Sequence, residues 1–148
     1  MDIPIALRTT LEQATPLTRG IFGGASGLSA EEVVGFITGS PVALVSTVDA
    51  HGAPHVAGSG VVLVGGRLYV GVSPDSAMRR NLRREPRVAL AFTDPPWKRH
   101  VLIQGSVRFL KRGDAEERRA GAQYKAAHGW EAGELAEVEL RKVFTWKG

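Results

Sequence analysis

The 148-residue chain has no cysteine, and that absence removes disulfides, thiolate metal sites, iron–sulfur clusters and thiol nucleophiles together. No apolar run approaches the roughly 20 residues a membrane-spanning helix needs. The first residues, with Asp2, Arg8 and Glu12, lack the apolar stretch of a signal peptide. The expectation is a soluble, cytoplasmic protein with no membrane partner. Recognisable catalytic spacings are missing as well. His51 and His55 flank a turn instead of sharing a helix face, while His100 and His128 stand far off, so no metal site is expected. Ser59 lies in Gly-Ser-Gly and not in a nucleophile elbow. The glycines at 23–27 and 65–66 match neither a phosphate-cradling nor a dinucleotide loop.

What is present is an unevenly charged domain. The formal charge is +4. Between residues 76 and 112, however, ten basic side chains face only Glu85 and Asp94, a net +8 that leaves −4 for the rest of the chain. The chain is polarised, and a localised anionic ligand fits that better than diffuse contact with nucleic acid. No nucleic-acid partner is expected, because no recognition helix or aromatic RNA-binding motif accompanies the charge.

Residues 1–28 read as an N-terminal arm or loop, with a short helix near Ile5–Ala14 and then too many glycines for regular structure. Residues 29–148 read as one domain. Ser29 and Glu32 form a capping-box pattern for a helix ended by Gly39 and Pro41. Strands are expected at Val42–Val48, His55–Val64, Arg67–Ser73, Arg87–Thr93, His100–Leu110 and Ala136–Trp146, with a primed hairpin turn at Gly65-Gly66. Asp75 or Ser76 caps a helix running to Arg84, and Asp114 caps another that Gly129 closes. Six hairpin-linked strands with inserted helices fold best as a small closed barrel, mainly β with helices.

The segment Ser73-Pro-Asp-Ser-Ala-Met-Arg-Arg-Asn-Leu-Arg-Arg84 places arginines in the first turns of a capped helix, after a strand. Free backbone N–H groups at a helix start attract anions, and guanidiniums add charge and bidentate hydrogen bonds. In a solvated alternative, Leu82 packs inward while Arg79, Arg80, Arg83 and Arg84 are wet.

This segment, extended to Tyr69-Val-Gly-Val and Glu85-Pro-Arg-Val-Ala-Leu90, resembles the signature of the flavin-binding split-barrel, pyridoxamine-phosphate-oxidase-like superfamily. Residues 42–55 and 98–107 agree, and the Asn-Leu-Arg-Arg run is most similar to the branch using flavins or the deazaflavin coenzyme F-420. The resemblance implies a six-stranded antiparallel split barrel and a homodimer with cofactor sites at the subunit interface. It implies FMN or coenzyme F-420 as cofactor and hydride transfer to a small-molecule substrate. The cofactor would carry the chemistry, so no side chain is assigned a catalytic role.

Residue by residue, the resemblance places Ser76 at the cofactor phosphate with Ala77, Met78, Arg79 and Arg80 around it. Gly71 and Val72 match strand positions beside the cofactor. Ala57, Gly58 and Ser59 lie along its ring, and His100 matches a polar ring contact. Trp97 and Lys98 are expected to line the substrate side, whereas Trp130 and Trp146 read as packing residues. The sequence also departs from the family pattern, with Met78 where a lysine is usual and with Ala57 and Val62 in a strand that often carries basic residues. Those departures support a second reading, a non-enzymatic binder of an apolar or tetrapyrrole ligand.

Overall fold

The computed structural model describes residues 2–39, 41–94 and 98–148. Its strands are β1 (Val42–Val48), β2 (Pro54–Val64), β3 (Arg67–Val72), β4 (Arg87–Asp94), β5 (Arg99–Phe109) and β6 (Glu134–Lys147). They close into one antiparallel barrel in the order β1-β2-β3-β6-β5-β4. Five helices join them: α1 (Ile3–Glu12), α2 (Pro16–Phe22), α3 (Ala30–Gly39), α4 (Ala77–Arg84) and α5 (Ala115–His128). The expected split barrel is therefore present, with β6 starting two residues earlier than the alternation indicated.

Period-2 patterning builds the wall. Alternate residues Ala43, Val45 and Thr47 of β1 point inward, and they meet Val61, Val70, Leu90, Ile103 and Val143 from other strands in one core. Turns are set by glycine where the backbone demands it. Gly65 and Gly66 both have positive φ, 59° and 78°, which makes the β2–β3 hairpin a primed turn. In β5 the ladder slips between Gln104 and Gly105, and a Cβ on Gly105 would meet the Glu139 carbonyl oxygen at 2.3 Å.

The capping box is formed as expected: Ser29 N–H donates to Glu32 Oε2 at 2.7 Å, and Glu32 N–H donates to Ser29 Oγ at 3.1 Å. Gly129 ends α5 in the left-handed region at φ 80°. Asp114 occupies the α5 N-cap position, but its side chain makes no capping hydrogen bond.

The N-terminal segment differs from expectation. Residues 16–27 form α2 and a single 3₁₀ turn, Gly24–Ser26, where no regular structure was anticipated. Thr15 caps α2, and the Arg19 guanidinium donates to the carbonyls of Leu11, Glu12 and Ala14. These bonds outweigh the cost of roughly 1 kcal/mol for Gly20 inside the helix. The start of the chain is also anchored: Ile3 and Ala6 are buried, and Thr10 Oγ1 accepts from Val143 N–H at 2.9 Å on the β6 edge beyond β3.

Candidate functional site

The two sides of the barrel wall are covered differently. On β2 and β3 the outward residues are Gly60, Val62, Tyr69 and Gly71, and α5 lies across them. The Tyr124 ring fills the space above both glycines. A Cβ at Gly60 would fall 2.3 Å from the Tyr124 hydroxyl, and one at Gly71 would fall 2.6 Å from it. His128, one helical turn on, packs tilted against Tyr124 with ring centroids 4.3 Å apart and bonds through Nε2 to the Val61 carbonyl at 3.0 Å. Burial pushes the Tyr124 phenol pKa up. Trp130 tilts against His128 at 5.5 Å but is 60% exposed, so it is not the packing residue the sequence suggested.

Around the other side the wall is bare. Val42, Leu44 and Val48 of β1 and Val56 of β2 point out and are exposed, Val56 by 58% and Leu44 by 51%. Strand register continues this face through Ala89 and Ala91 of β4 and Leu102 of β5. A concavity of about 430 Å³ on this side is lined by Ser46, Val48, Ala89 and Gln104, among others. His100 lies on the same outer face and stacks on Trp146 with ring centroids 5.1 Å apart.

The helix start that carries the anion hypothesis forms as its cap predicts. Ser76, not Asp75, is the N-cap: its Oγ accepts from Arg79 N–H at 3.1 Å and donates to the Ser73 carbonyl at 2.7 Å. Arg80 N–H reaches the Ser76 carbonyl, so the first two helical amides, Ala77 and Met78, have no intrahelical acceptor. Met78 points into the core and is 5% exposed, whereas Leu82 and Asn81 bury the rest of that helix face. Asn81 Nδ2 donates to Thr47 Oγ1 at 3.0 Å, and Arg84 donates to Asn81 Oδ1 at 3.3 Å and to the Val48 carbonyl at 3.1 Å.

The arginines of α4 divide into two groups. Arg79 makes a two-pronged pair with the carboxylate of Glu134, the first residue of β6, and Arg83 joins the same carboxylate at 3.2 Å. Hydrogen bonding by Arg79 holds the Glu134 carboxyl below its usual range, and in return raises the Arg79 pKa. The Arg83 guanidinium also lies 3.9 Å over the Phe109 ring. Arg80 instead folds back to the Asp75 carbonyl at 3.2 Å and has no carboxylate partner among the described residues.

The remaining nominated positions are spread out. Gly58 is exposed on the bare face, and Ala57 and Ser59 are half-buried beside it. Ser59 Oγ donates to the Gly71 carbonyl, which ties β2 to β3 where the two strands part. Gly71 lies beneath Tyr124 and Val72 points into the core, so neither side offers a ligand free space within one chain. Lys98 is exposed, and its carbonyl accepts from Gly148 N–H at 2.8 Å. Trp97 lies outside the described residues.

Half of the basic residues of the segment are ion-paired in place. Arg79 and Arg83 meet Glu134, Arg87 meets Glu85, Arg99 meets Asp94, and Arg108 meets Glu116 and Glu137. A concavity of about 1020 Å³ is lined by Arg67, Arg108, Glu116 and Glu137, and by none of the nominated residues. Arg67 and Arg108 pair there with Glu116 and Glu137. No group of three metal-ligating side chains occurs among the described residues, and no helix there is long and apolar enough to cross a membrane.

Sequence reasoning missed Tyr124, His128 and Glu134. The first two had a readable signal: an i,i+4 aromatic pair on a helix, with Gly60 and Gly71 on adjoining strands to receive it. Glu134 had none, because only barrel closure brings the start of β6 beside α4.

A closed six-stranded antiparallel barrel with a capped helix between its third and fourth strands defines the split-barrel class. The chain belongs to the pyridoxamine 5'-phosphate oxidase family, whose model matches residues 29–147. Among curated proteins none matches. Solved structures share the fold at low identity. The conserved hypothetical protein Rv2991 of Mycobacterium tuberculosis is 18% identical with a TM-score of 0.73, covering 82% of this chain and 86% of that one. HutZ, the heme storage protein of Vibrio cholerae, is 19% identical with a TM-score of 0.67, covering 80% of this chain and 94% of HutZ. A heme binding protein from Mycobacterium smegmatis is 20% identical with a TM-score of 0.64, covering 81% of this chain and 58% of that protein.

Proposed function

We propose that this chain is a homodimeric ligand binder that takes up a flat tetrapyrrole on the bare face of its barrel. The observation that carries the reading is the state of the phosphate corner. Met78 is in the core where the family pattern has a base, and the nearest substitute, Arg79, is held by Glu134. A doubly charged flavin phosphate therefore lacks its usual cation, and the residues present do not fit a phosphate-anchored FMN. Structural neighbours of this chain described as a heme storage protein and a heme binding protein support the tetrapyrrole reading by analogy of fold.

In this reading a second copy covers Val42, Leu44 and Val56, whose exposure is unusual for a face with no partner. Gly58, with Ala57 and Ser59 beside it, gives a low floor along β2 for a planar ring. His100 is the histidine that strand register places on that face, and it would supply an imidazole to heme iron. Ser76, Ala77 and Arg80 would receive an acidic group of the ligand at the start of α4.

A second reading, a coenzyme F-420 or flavin oxidoreductase acting on a small organic substrate, draws on the family match and on the unfilled Ala77 and Met78 amides. It requires Arg80 to act in place of Arg79. Titration of the purified chain with hemin, followed by absorbance, separates the two. The tetrapyrrole reading expects a saturable Soret shift with half-saturation below about 10 µM, altered in shape by His100→Ala. No saturable shift below about 100 µM, or purification with a flavin or deazaflavin spectrum, overturns it.

A further inference from the structure

Glu134 stands at the junction of β6 and α4 with two guanidiniums on one carboxylate. Arg79 reaches it with Nε and Nη2, the latter at 3.4 Å, and Arg83 reaches it with Nη2 at 3.2 Å. Its position is braced from behind: a Cβ on Gly133 would lie 2.6 Å from Pro74, so the chain just before Glu134 is pressed against the loop that leads to Ser76. The backbone that carries Glu134 therefore cannot move toward this loop without disturbing that contact. Arg83 is held in addition by Phe109, beneath its guanidinium. Asp75, exposed at the same corner, adds a further negative charge near Arg79.

The consequence is a charge count. Arg79 and Arg83 set against Glu134 and the nearby Asp75 leave no net positive charge in this cluster, and both guanidiniums are already hydrogen-bonded to Glu134. Arg80 is the one guanidinium at the helix start with no carboxylate partner among the described residues. A charged ligand group arriving beside Ala77 and Met78 thus meets one available guanidinium and two amides, which suits a single negative charge better than two.

We propose that Glu134 sets the charge selectivity of this site, acting as a built-in counter-anion that admits carboxylate-like monoanions and discriminates against phosphate dianions. The inference rests on the anion corner assigned under Proposed function. It adds the residue that decides which anion is accepted, and it makes Arg80 rather than Arg79 the ligand-facing arginine.

The test uses FMN and riboflavin, which share a ring system and differ by the phosphate. The full chain, Glu134→Gln and the double variant Glu134→Gln/Arg79→Met are titrated with each, followed by flavin fluorescence. The native chain is expected to favour FMN over riboflavin by less than about threefold, and Glu134→Gln by at least about tenfold. Removing Arg79 in the double variant should return the preference to the native level. Glu134→Asp, which keeps the charge, should also show the native preference, and this guards against an effect of disturbed folding.

An unchanged preference in Glu134→Gln, equal tightening of both flavins, or no FMN binding by that variant below about 1 mM would each overturn the proposal. Hemin uptake by the native chain is scored separately. A chain that ignores hemin but gains FMN preference on loss of Glu134 sinks the tetrapyrrole reading and keeps the selectivity device. The reverse result keeps the reading and sinks the device.

Discussion

The wall over β2 and β3 and the wall over β1, β4 and β5 are built from the same alternating pattern, yet only one is finished within the chain. Over β2 and β3 the outward positions are Gly60, Val62, Tyr69 and Gly71, and the two glycines receive Tyr124 and His128 from α5. Over β1 and β4 the outward positions are Val42, Leu44, Ala89 and Ala91, and among the described residues Val42 and Leu44 stay half-exposed. The contrast teaches that Gly60 and Gly71 mark where the protein packs against itself, while the exposed Val42, Leu44 and Val56 mark where it awaits something else. Burial of apolar surface is worth roughly 25 cal/mol per Å², so a face of this kind is costly to leave wet in a barrel this small.

Breaking the covered side should have the largest effect. Gly60→Val drives a branched side chain into the space of the Tyr124 hydroxyl and the His128 ring. Overpacking there should cost about 3 kcal/mol or more, read as a lower urea midpoint with α5 loosened in amide exchange. The same change at Gly58 meets only Val42 Cγ1 at 3.9 Å and should be nearly neutral for folding of the single chain. Equal losses at the two positions would erase the distinction between the two sides.

Leu44→Asp on the bare side should leave the unfolding free energy of the isolated chain, from urea titration, within about 0.5 kcal/mol of native. It should weaken self-association by at least about 100-fold in sedimentation equilibrium, because a charge is then buried against its own copy. Native association after this change would remove the bare face from the subunit contact.

The smallest effect lies at the corner between the two regions. The Glu134 carboxyl is held below its ordinary range by Arg79, so its contribution to stability is complete above the unfolded-state value near 4.5. That contribution fades as pH falls below this value and through the lower folded-state pKa. Between about pH 5 and pH 3 the native chain should therefore lose roughly 3 °C more in Tm than Glu134→Gln. Parallel acid curves would mean that the pair contributes nothing to stability.

Local chemistry made most of the barrel legible. The Gly65-Gly66 turn and the Ser29–Glu32 box each act within four residues and formed where the sequence placed them, and the α4 cap fell on Ser76, one of the two residues expected there. Residues 16–22 were misread because glycine content was weighed without Arg19, whose side chain ties α2 to the end of α1. At the site, the helix start was readable but its electrostatics were not. Arg79 and Glu134 are 55 residues apart, and their pairing depends on β6 closing the barrel next to β3. The family resemblance put Gly71 beside a cofactor, yet the group that lies against it within one chain is the chain's own Tyr124.

The account's central claim is that the bare face holds both a second copy and a flat ligand. Sedimentation velocity of the native chain with a limiting amount of hemin, recorded at the Soret wavelength, tests both parts in one run. The account predicts that the heme absorbance sediments with a dimer of about 32 kDa, twice the 15.9 kDa chain, and that Leu44→Asp abolishes this co-sedimenting species. Heme absorbance that stays with free hemin, or that travels with a monomer unaffected by Leu44→Asp, would contradict it.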